Sequence, residues 1–349
     1  MSFRRMFNAV ETHSGEPMRV VTGGVPQIPG DTVYEQMKWL ERNDDQIRKL
    51  MLREPRGYPP VCCNLIVPSK NPEAKAGYII MEQSEYPVMS GGNTISVATV
   101  LLETGMIPMH EPVTEFMLEA PAGLIGIRAE CSGGKVTQVT FKNVPAFAAH
   151  LDAVIDVPGL GKVTVDVAWG GMFYVIADVR QFEGLRLVPE QGREITRISA
   201  LVLRAAQDQL PVAHPDYPGI GITVSQLSGP PHSEAADWRN TVTVANGPID
   251  FDDPSTWTGA LDRCPCGTGT CAKMAVLHAK GQLKIGEPFR HENLLGIAYT
   301  GRLVEEVRIG DHVAVVPTVS GTSWIYGFNT YVLDPTDPFT EGFTVGDIW

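Results

Sequence analysis

The sequence predicts an α+β protein of two related domains, and three observations carry that expectation. The chain has 349 residues, which at roughly 150 residues per domain makes about two domains, each with a core of its own. Its 35 glycines and 27 prolines punctuate short β-branched runs, so strands outnumber helices. A Gly-rich turn leading into a helix occurs twice, over 89–105 and over 265–281, as an internal duplication would produce.

In chain order, the first helical pattern covers 32–53, where Met37, Leu40, Ile47 and Leu50 fall near one face. Asp31 is its expected cap, and Glu54-Pro55-Arg56-Gly57 its stop. Next, Met89-Ser90-Gly91-Gly92-Asn93-Thr94 feeds a helix that Gly105 ends in a left-handed conformation. A strand over 136–141 precedes Pro145, where the domain boundary is placed. Further strands are expected over 163–167, 173–176, 241–244 and 312–316. Pro265-Cys266-Gly267-Thr268-Gly269-Thr270 then feeds a second helix that Gly281 ends. In both copies the Ser or Cys is followed by Gly at +1, Thr at +4 and the closing Gly at +15.

Composition narrows the function classes. With 43% hydrophobic and 19% charged residues and a mean hydropathy of -0.03, the chain has no apolar deficit of the kind that disorder requires. A net charge of -12 repels phosphate backbones and anionic leaflets, which argues against nucleic-acid and membrane partners. The longest uncharged stretch, 313–333, contains Pro317, Ser320, Gly321, Ser323, Gly327 and Asn329 and reads as turn-punctuated strands. The start, Met1-Ser2-Phe3-Arg4-Arg5-Met6-Phe7, runs into polar Asn8, Glu11, Thr12 and His13 without a secretory signal's apolar run, so a cytoplasmic protein is expected. Cys62, Cys63, Cys131, Cys264, Cys266 and Cys271 show no framework spacing and read as reduced thiols.

The repeated turn is where chemistry is expected. The first backbone N–H groups of a helix lack intrahelical partners, and the macrodipole adds partial positive charge there. A thiol at such a point can fall from a pKa of about 8.5 toward neutrality and act as a base. Cys266 is so placed, and Gly267 and Gly91 would let a small carboxylate approach the helix ends closely. Two such ends gripping one carboxylate would stabilise the charge that appears when its α-carbon loses a proton. No Walker loop, dinucleotide fingerprint or pyridoxal-lysine signature is present, so a mechanism without a cofactor is preferred.

Plainer readings stand beside these. Ser90 could be only a helix cap, and Asp262 could only cap its turn, although a carboxylate there also suits a substrate ammonium. Cys264-x-Cys266-x4-Cys271 lacks the paired spacing of a zinc site, so no metal is expected. Cys62, Cys63, Cys131 and Cys271 read as small buried hydrophobes, and His13, His214 and His232 carry no base–nucleophile signature.

Asp262-Arg263-Cys264-Pro265-Cys266-Gly267-Thr268-Gly269-Thr270 resembles the D-R-S-P-C-G-T-G-T signature of the proline racemase family, with Cys264 where Ser is usual. Family-like blocks recur in order along nearly the whole chain: Thr12-His13-Ser14-Gly15-Glu16-Pro17, Glu54-Pro55-Arg56-Gly57, Asn143-Val144-Pro145, Gly170-Gly171-Met172-Phe173 and Ala236-Asp237-Trp238-Arg239-Asn240. The resemblance implies the fold of diaminopimelate epimerase: two pseudo-symmetric α+β domains, each a β-barrel-like sheet around a central helix, with the site in the cleft. On this reading the carboxyl-terminal strands return to the first domain. It then covers 1–145 plus 325–349 and carries Ser90, while 146–324 forms the second domain and carries Cys266.

In the family two cysteines act as base and acid on either side of the substrate α-carbon. Here Ser90 replaces the first and Cys266 is retained, and the family's Cys-Gly-His reads Ser90-Gly91-Gly92. A hydroxyl is a far weaker acid than a thiol, which speaks against proline racemase itself. The family also contains 4-hydroxyproline epimerases and trans-3-hydroxy-L-proline dehydratases. In trans-3-hydroxy-L-proline the hydroxyl shares a ring face with the α-hydrogen, so one acid–base group can remove the proton and return it to the departing hydroxyl. The expected activity is therefore dehydration of trans-3-hydroxy-L-proline to Δ1-pyrroline-2-carboxylate, with minor 4-hydroxyproline epimerisation. A 4-hydroxyproline epimerase and a non-catalytic imino-acid-binding protein are the alternatives. The resemblance implies that Gly91, Gly92, Gly267 and Thr268 contact the carboxylate and Asp262 the ring nitrogen, and that the partner is this small imino acid. A homodimer fits the family, but the sequence carries no signature of one.

Overall fold

The computed structural model describes residues 5–346 and 348, so the first four residues of the segment read for a secretory signal lie outside the described residues. The chain separates into two compact units, Met1–Lys142 with Ser320–Trp349, and Asn143–Val319. The first cut falls just ahead of Asn143 because the backbone from there pairs forward: Asn143 N–H donates to Pro317 O at 2.9 Å, and Ala146 and Val315 exchange two bonds of 2.8 Å.

The first unit opens with β1 (Arg5–His13) and β2 (Pro17–Gly23), an antiparallel pair. Helices α1 (Val33–Asn43) and α2 (Gln46–Leu52) then cross to β3 (Cys62–Val67), which runs parallel to β2 and antiparallel to β4 (Ala74–Met81). Helix α3 (Gly91–Glu103) is the next crossover, to β5 (Val113–Ala120) parallel to β4. Antiparallel β6 (Gly123–Ser132) and β7 (Lys135–Lys142) complete the run. The second unit repeats the plan. Strands β8 (Phe147–Val157), β9 (Gly161–Trp169) and β10 (Phe173–Asp178) form a meander, and α4 (Gly192–Gln209) crosses to β11 (Ile222–Gly229), parallel to β10. Antiparallel β12 (Trp238–Ala245) and the short β13 (Gly259–Leu261) follow. Helix α5 (Gly267–Ala279) crosses to β14 (Pro288–Glu292), parallel to β12, and β15 (Ala298–Ile309) and β16 (His312–Gly321) end the unit. Finally β17 (Trp324–Leu333) returns to the first unit, antiparallel to β1. There Thr140 and Ser320 hydroxyls meet at 2.7 Å and Thr322 Oγ1 donates to Thr137 O at 3.0 Å, drawing the β7 edge to the chain that enters β17.

The class is α+β, mostly sheet with few helices, and each unit holds one central helix. Helix α3 touches β1, β2, β3, β6, β7 and β17, and α5 touches β8, β9, β10 and β15. Both are 13 residues long and are buried along almost every face. The five runs expected as strands lie within β7, β9, β10, β12 and β16.

The pattern over 32–53 is two helices, not one. Asp44 leaves helical geometry at φ -147°, and Asp45 starts α2 by holding Arg48 at 2.7 and 2.9 Å. The cap is Thr32 in place of Asp31: Thr32 Oγ1 accepts from Glu35 N–H at 3.1 Å, and Glu35 Oε2 accepts from Thr32 N–H at 3.3 Å, a reciprocal box. Helix α4 was not singled out from the sequence, although Ile195, Ile198, Leu201, Val202 and Ala205 bury one helical face.

A buried ion pair fastens β17. Arg19, 2% exposed, donates from Nε to Glu11 Oε1 at 2.8 Å and from Nη2 to Arg56 O at 3.0 Å. Tyr331 covers the guanidinium at 4.0 Å and donates its hydroxyl to Glu11 Oε1 at 2.7 Å. Removing one member strands a buried charge, so Arg19→Ala should lower the unfolding free energy by about 3–5 kcal/mol, read by urea titration.

Candidate active site

The two copies of the repeated turn become the starts of the two central helices. Ser90 is the residue before α3 and Cys266 the residue before α5. In both, the Thr at +4 donates its backbone N–H to that residue's carbonyl, Thr94 to Ser90 at 3.0 Å and Thr270 to Cys266 at 2.9 Å. Gly105 and Gly281 end the helices at φ 73° and 71°, donating to Leu102 O and His278 O. The glycine spacing in the sequence thus corresponds to one helix length in each unit.

In the second unit Cys266 is 7% exposed and sits at φ 57°, a conformation that costs a non-glycine residue roughly 1–3 kcal/mol. Its Sγ accepts the Gly269 N–H at 3.3 Å and lies 3.3 Å from the Tyr174 hydroxyl. That hydroxyl is also 2.7 Å from Thr268 Oγ1. Thr268 and Gly267 are buried in the same first turn. Asp262 directly follows β13, where its Oδ1 accepts the Cys264 N–H at 2.9 Å and its N–H donates to Val242 O at 2.8 Å. Cys264 Sγ in turn accepts the Cys266 N–H at 3.3 Å. Cys266, Gly267, Thr268 and Asp262 are therefore one cluster.

The surroundings of Cys266 work against the helix end. Burial pushes the Cys266 thiol well above its ordinary value and the Asp262 carboxylate pushes it further, against the opposing pull of Tyr174, the Gly269 N–H and Thr268. In a site this dry the loss of hydration outweighs the helix end.

In the first unit Ser90 is half-buried, with Gly91 and Gly92 buried behind it. Ser90 is the N-cap residue of α3, and its hydroxyl makes no cap hydrogen bond among the described residues. Instead Ser90 Oγ accepts from Asn93 Nδ2 at 2.9 Å. Thr94 Oγ1 donates to Ser90 O at 2.7 Å and is 2.6 Å from the Tyr78 hydroxyl, which holds the turn from β4.

Several residues around Cys266 come from strands that the motif does not mark. Tyr174 stands on β10. Asn240, on β12, donates to Pro265 O at 2.9 Å and to His291 Nδ1 at 3.0 Å, while Thr270 Oγ1 is 2.9 Å from the same nitrogen. Gln226 is wholly buried on β11 with neither amide atom paired among the described residues. A Cβ at Gly269 would lie 2.5 Å from its Oε1. The sequence signal was a polar residue inside an apolar strand run, Ile222-Thr223-Val224-Ser225-Gln226-Leu227. Gly170 is needed for contact: a Cβ there would lie 2.1 Å from Thr268 O. His214 packs among Phe147, Trp169 and Tyr217, a core histidine as expected. The cysteines are free thiols, all buried except the half-buried Cys62.

Burial pushes the His291 imidazole down to about 3, with the Lys273 cation adding. Unfolded chains take up that proton near the ordinary value of 6.5, so stability is held above this pH and lost as pH falls toward 3. The expected slope is up to ~1.4 kcal/mol per pH unit. Urea titrations at a series of pH values should show it, and His291→Asn should flatten it.

The family model described as proline racemase matches residues 9–344. A hydroxyproline epimerase from Agrobacterium vitis, solved with trans-4-hydroxy-L-proline bound, is 36% identical over 100% of this chain and 98% of its own, with a TM-score of 0.91. A probable proline racemase from Agrobacterium radiobacter K84, solved with carbonate bound, is 34% identical over 98% of each chain, with a TM-score of 0.90. A phenazine biosynthesis protein of the PhzF family from Bacillus anthracis shares the fold at 11% identity, covering 94% of this chain and 100% of its own, with a TM-score of 0.57. Two similar units, each starting its central helix at a Ser or Cys turn, and a match along nearly the full length make the chain a member of the proline racemase family.

Proposed function

We propose that this protein removes the α-proton of a hydroxylated proline, with dehydration of trans-3-hydroxy-L-proline as its principal reaction. The observation that carries the reading is the unlike chemistry of the two turns: a buried sulfur beside the Asp262 carboxylate at Cys266, and at Ser90 a hydroxyl that accepts from the Asn93 amide. Epimerisation needs competent proton transfer on both faces of the ring, whereas this dehydration needs it on one.

In this reading Cys266 and Ser90 act on one α-carbon, and the substrate carboxylate meets the N–H groups of the first turns at Gly91, Gly92, Gly267 and Thr268. Asp262 receives the cationic ring nitrogen. That pairing cancels one of the two influences that hold the Cys266 thiol neutral, so substrate binding itself favours the thiolate. A group on the face shared by the α-hydrogen and the 3-hydroxyl takes the proton, the C–O bond breaks, and the same proton leaves with the hydroxyl as water. The resulting enamine rearranges to Δ1-pyrroline-2-carboxylate.

Epimerisation of 4-hydroxyproline is the second reading. It is favoured by the 36% identical epimerase whose structure holds trans-4-hydroxy-L-proline. A 4-hydroxyl is one carbon too far from the α-carbanion to leave, so that substrate can only invert.

Incubation with trans-3-hydroxy-L-proline should give a cyclic imine detectable with o-aminobenzaldehyde, and Cys266→Ala should slow its formation by about 10²- to 10⁴-fold. Absence of imine together with a change in optical rotation of trans-4-hydroxy-L-proline would make the epimerase the principal activity. A thermal shift with either compound but no α-hydrogen exchange in deuterated water would leave a binding protein.

A further inference from the structure

Among the described residues, the Ser90 hydroxyl is held by a single directed relay. Asn64 Nδ2, on β3, lies 3.4 Å from Arg19 O, which can only accept. The same nitrogen donates to Asn93 Oδ1 at 2.6 Å, and Asn93 Nδ2 then donates to Ser90 Oγ at 2.9 Å. The backbone carbonyl fixes the orientation of the first amide, and the first amide fixes the second. Both asparagines are buried, at 0% and 1% exposure, so turning either one would break pairings that water cannot replace.

We propose that Asn93, oriented by Asn64, is the positioning residue that allows a serine to transfer a proton at position 90. The inference rests on the placement of Ser90 at the substrate α-carbon in the proposed function, and it concerns the second reaction, epimerisation of 4-hydroxyproline, which alone needs proton transfer on both faces. In that step the Ser90 O–H bond breaks and a Cα–H bond forms from the carbanion's electron pair. The O–H pair stays on Oγ as an alkoxide, which recovers a proton from water or, in reverse, from the α-carbon. An N–H aimed at that oxygen stabilises the alkoxide as oxyanion-hole donors do. A thiol, with a pKa of about 8.5, would need no such donor.

Asn93→Ala and the isosteric Asn93→Asp are made with Ser90 and also with Ser90→Cys, and kcat and KM are measured on trans-3-hydroxy-L-proline and trans-4-hydroxy-L-proline. With Ser90, loss of the donor should lower kcat for epimerisation of trans-4-hydroxy-L-proline by about 10²- to 10³-fold and leave its KM within about twofold. In Ser90→Cys the alanine change should cost under about fivefold, because a thiolate does not depend on the amide. Asn93→Asp keeps the size and the bond from Asn64 but offers no N–H, so with Ser90 it should be as damaging as alanine; it decides the matter if the alanine variant fails to fold. Equal losses in the Ser90 and Ser90→Cys backgrounds, or an unchanged kcat, would overturn the role of Asn93 while wild-type turnover leaves the proposed function in place. Dehydration of trans-3-hydroxy-L-proline without epimerisation of trans-4-hydroxy-L-proline by the wild type would overturn this inference alone, and no turnover and no α-deuterium exchange with either compound would remove the proposed function as well.

Discussion

A helix sheathed by strands has to begin somewhere, and its first N–H groups then have no water to meet them. That constraint shapes both units. Helices α3 and α5 are buried along nearly their whole length, so each starts at an interior turn of small residues where the backbone can bend and a ligand can come close. The sheet supplies the dryness, the helix supplies the donors, and the residue before the first turn is left where the two meet.

The two units resolve this constraint differently. Cys266 turns its sulfur back onto the Gly269 N–H, at the expense of a left-handed backbone, and is pinned by a network that reaches from Pro265 through Asn240 to His291. Ser90 keeps an extended backbone and leaves its own helix uncapped. Its oxygen is instead addressed from the side by an amide. Two turns of matching layout thus hold one strained and one relaxed site.

Much of the plan was legible because it rests on local chemistry. Glycine at +1 and +15 marks the two central helices more clearly than periodicity could, since a helix buried on all sides shows no polar face. The β-branched runs gave strands for the same local reason. Partners supplied by other strands were not legible: Tyr174, Gln226, Asn240 and His291 reach the Cys266 turn only once the sheet is assembled. The burial that pushes the Cys266 thiol up was not legible for the same reason, because a helix end can be read from sequence whereas the loss of hydration depends on what folds over it. At 32–53 the apolar spacing was sound, and it was the Asp44-Asp45 pair, with its own hydrogen-bonding demands, that divided the helix.

The return of β17 to β1 has a consequence for how the molecule comes into being. Register pairs Arg5 with Leu333 and His13 with Trp324, so β1 leaves the ribosome long before its partner β17. The second unit is a continuous stretch, 143–319, and is fully translated before that last strand emerges. Until then β1 presents one bare edge, open to sticking to other nascent chains, and the Glu11–Arg19 pair lacks its Tyr331 cover. Closure of β1 therefore comes after the whole second unit has been made.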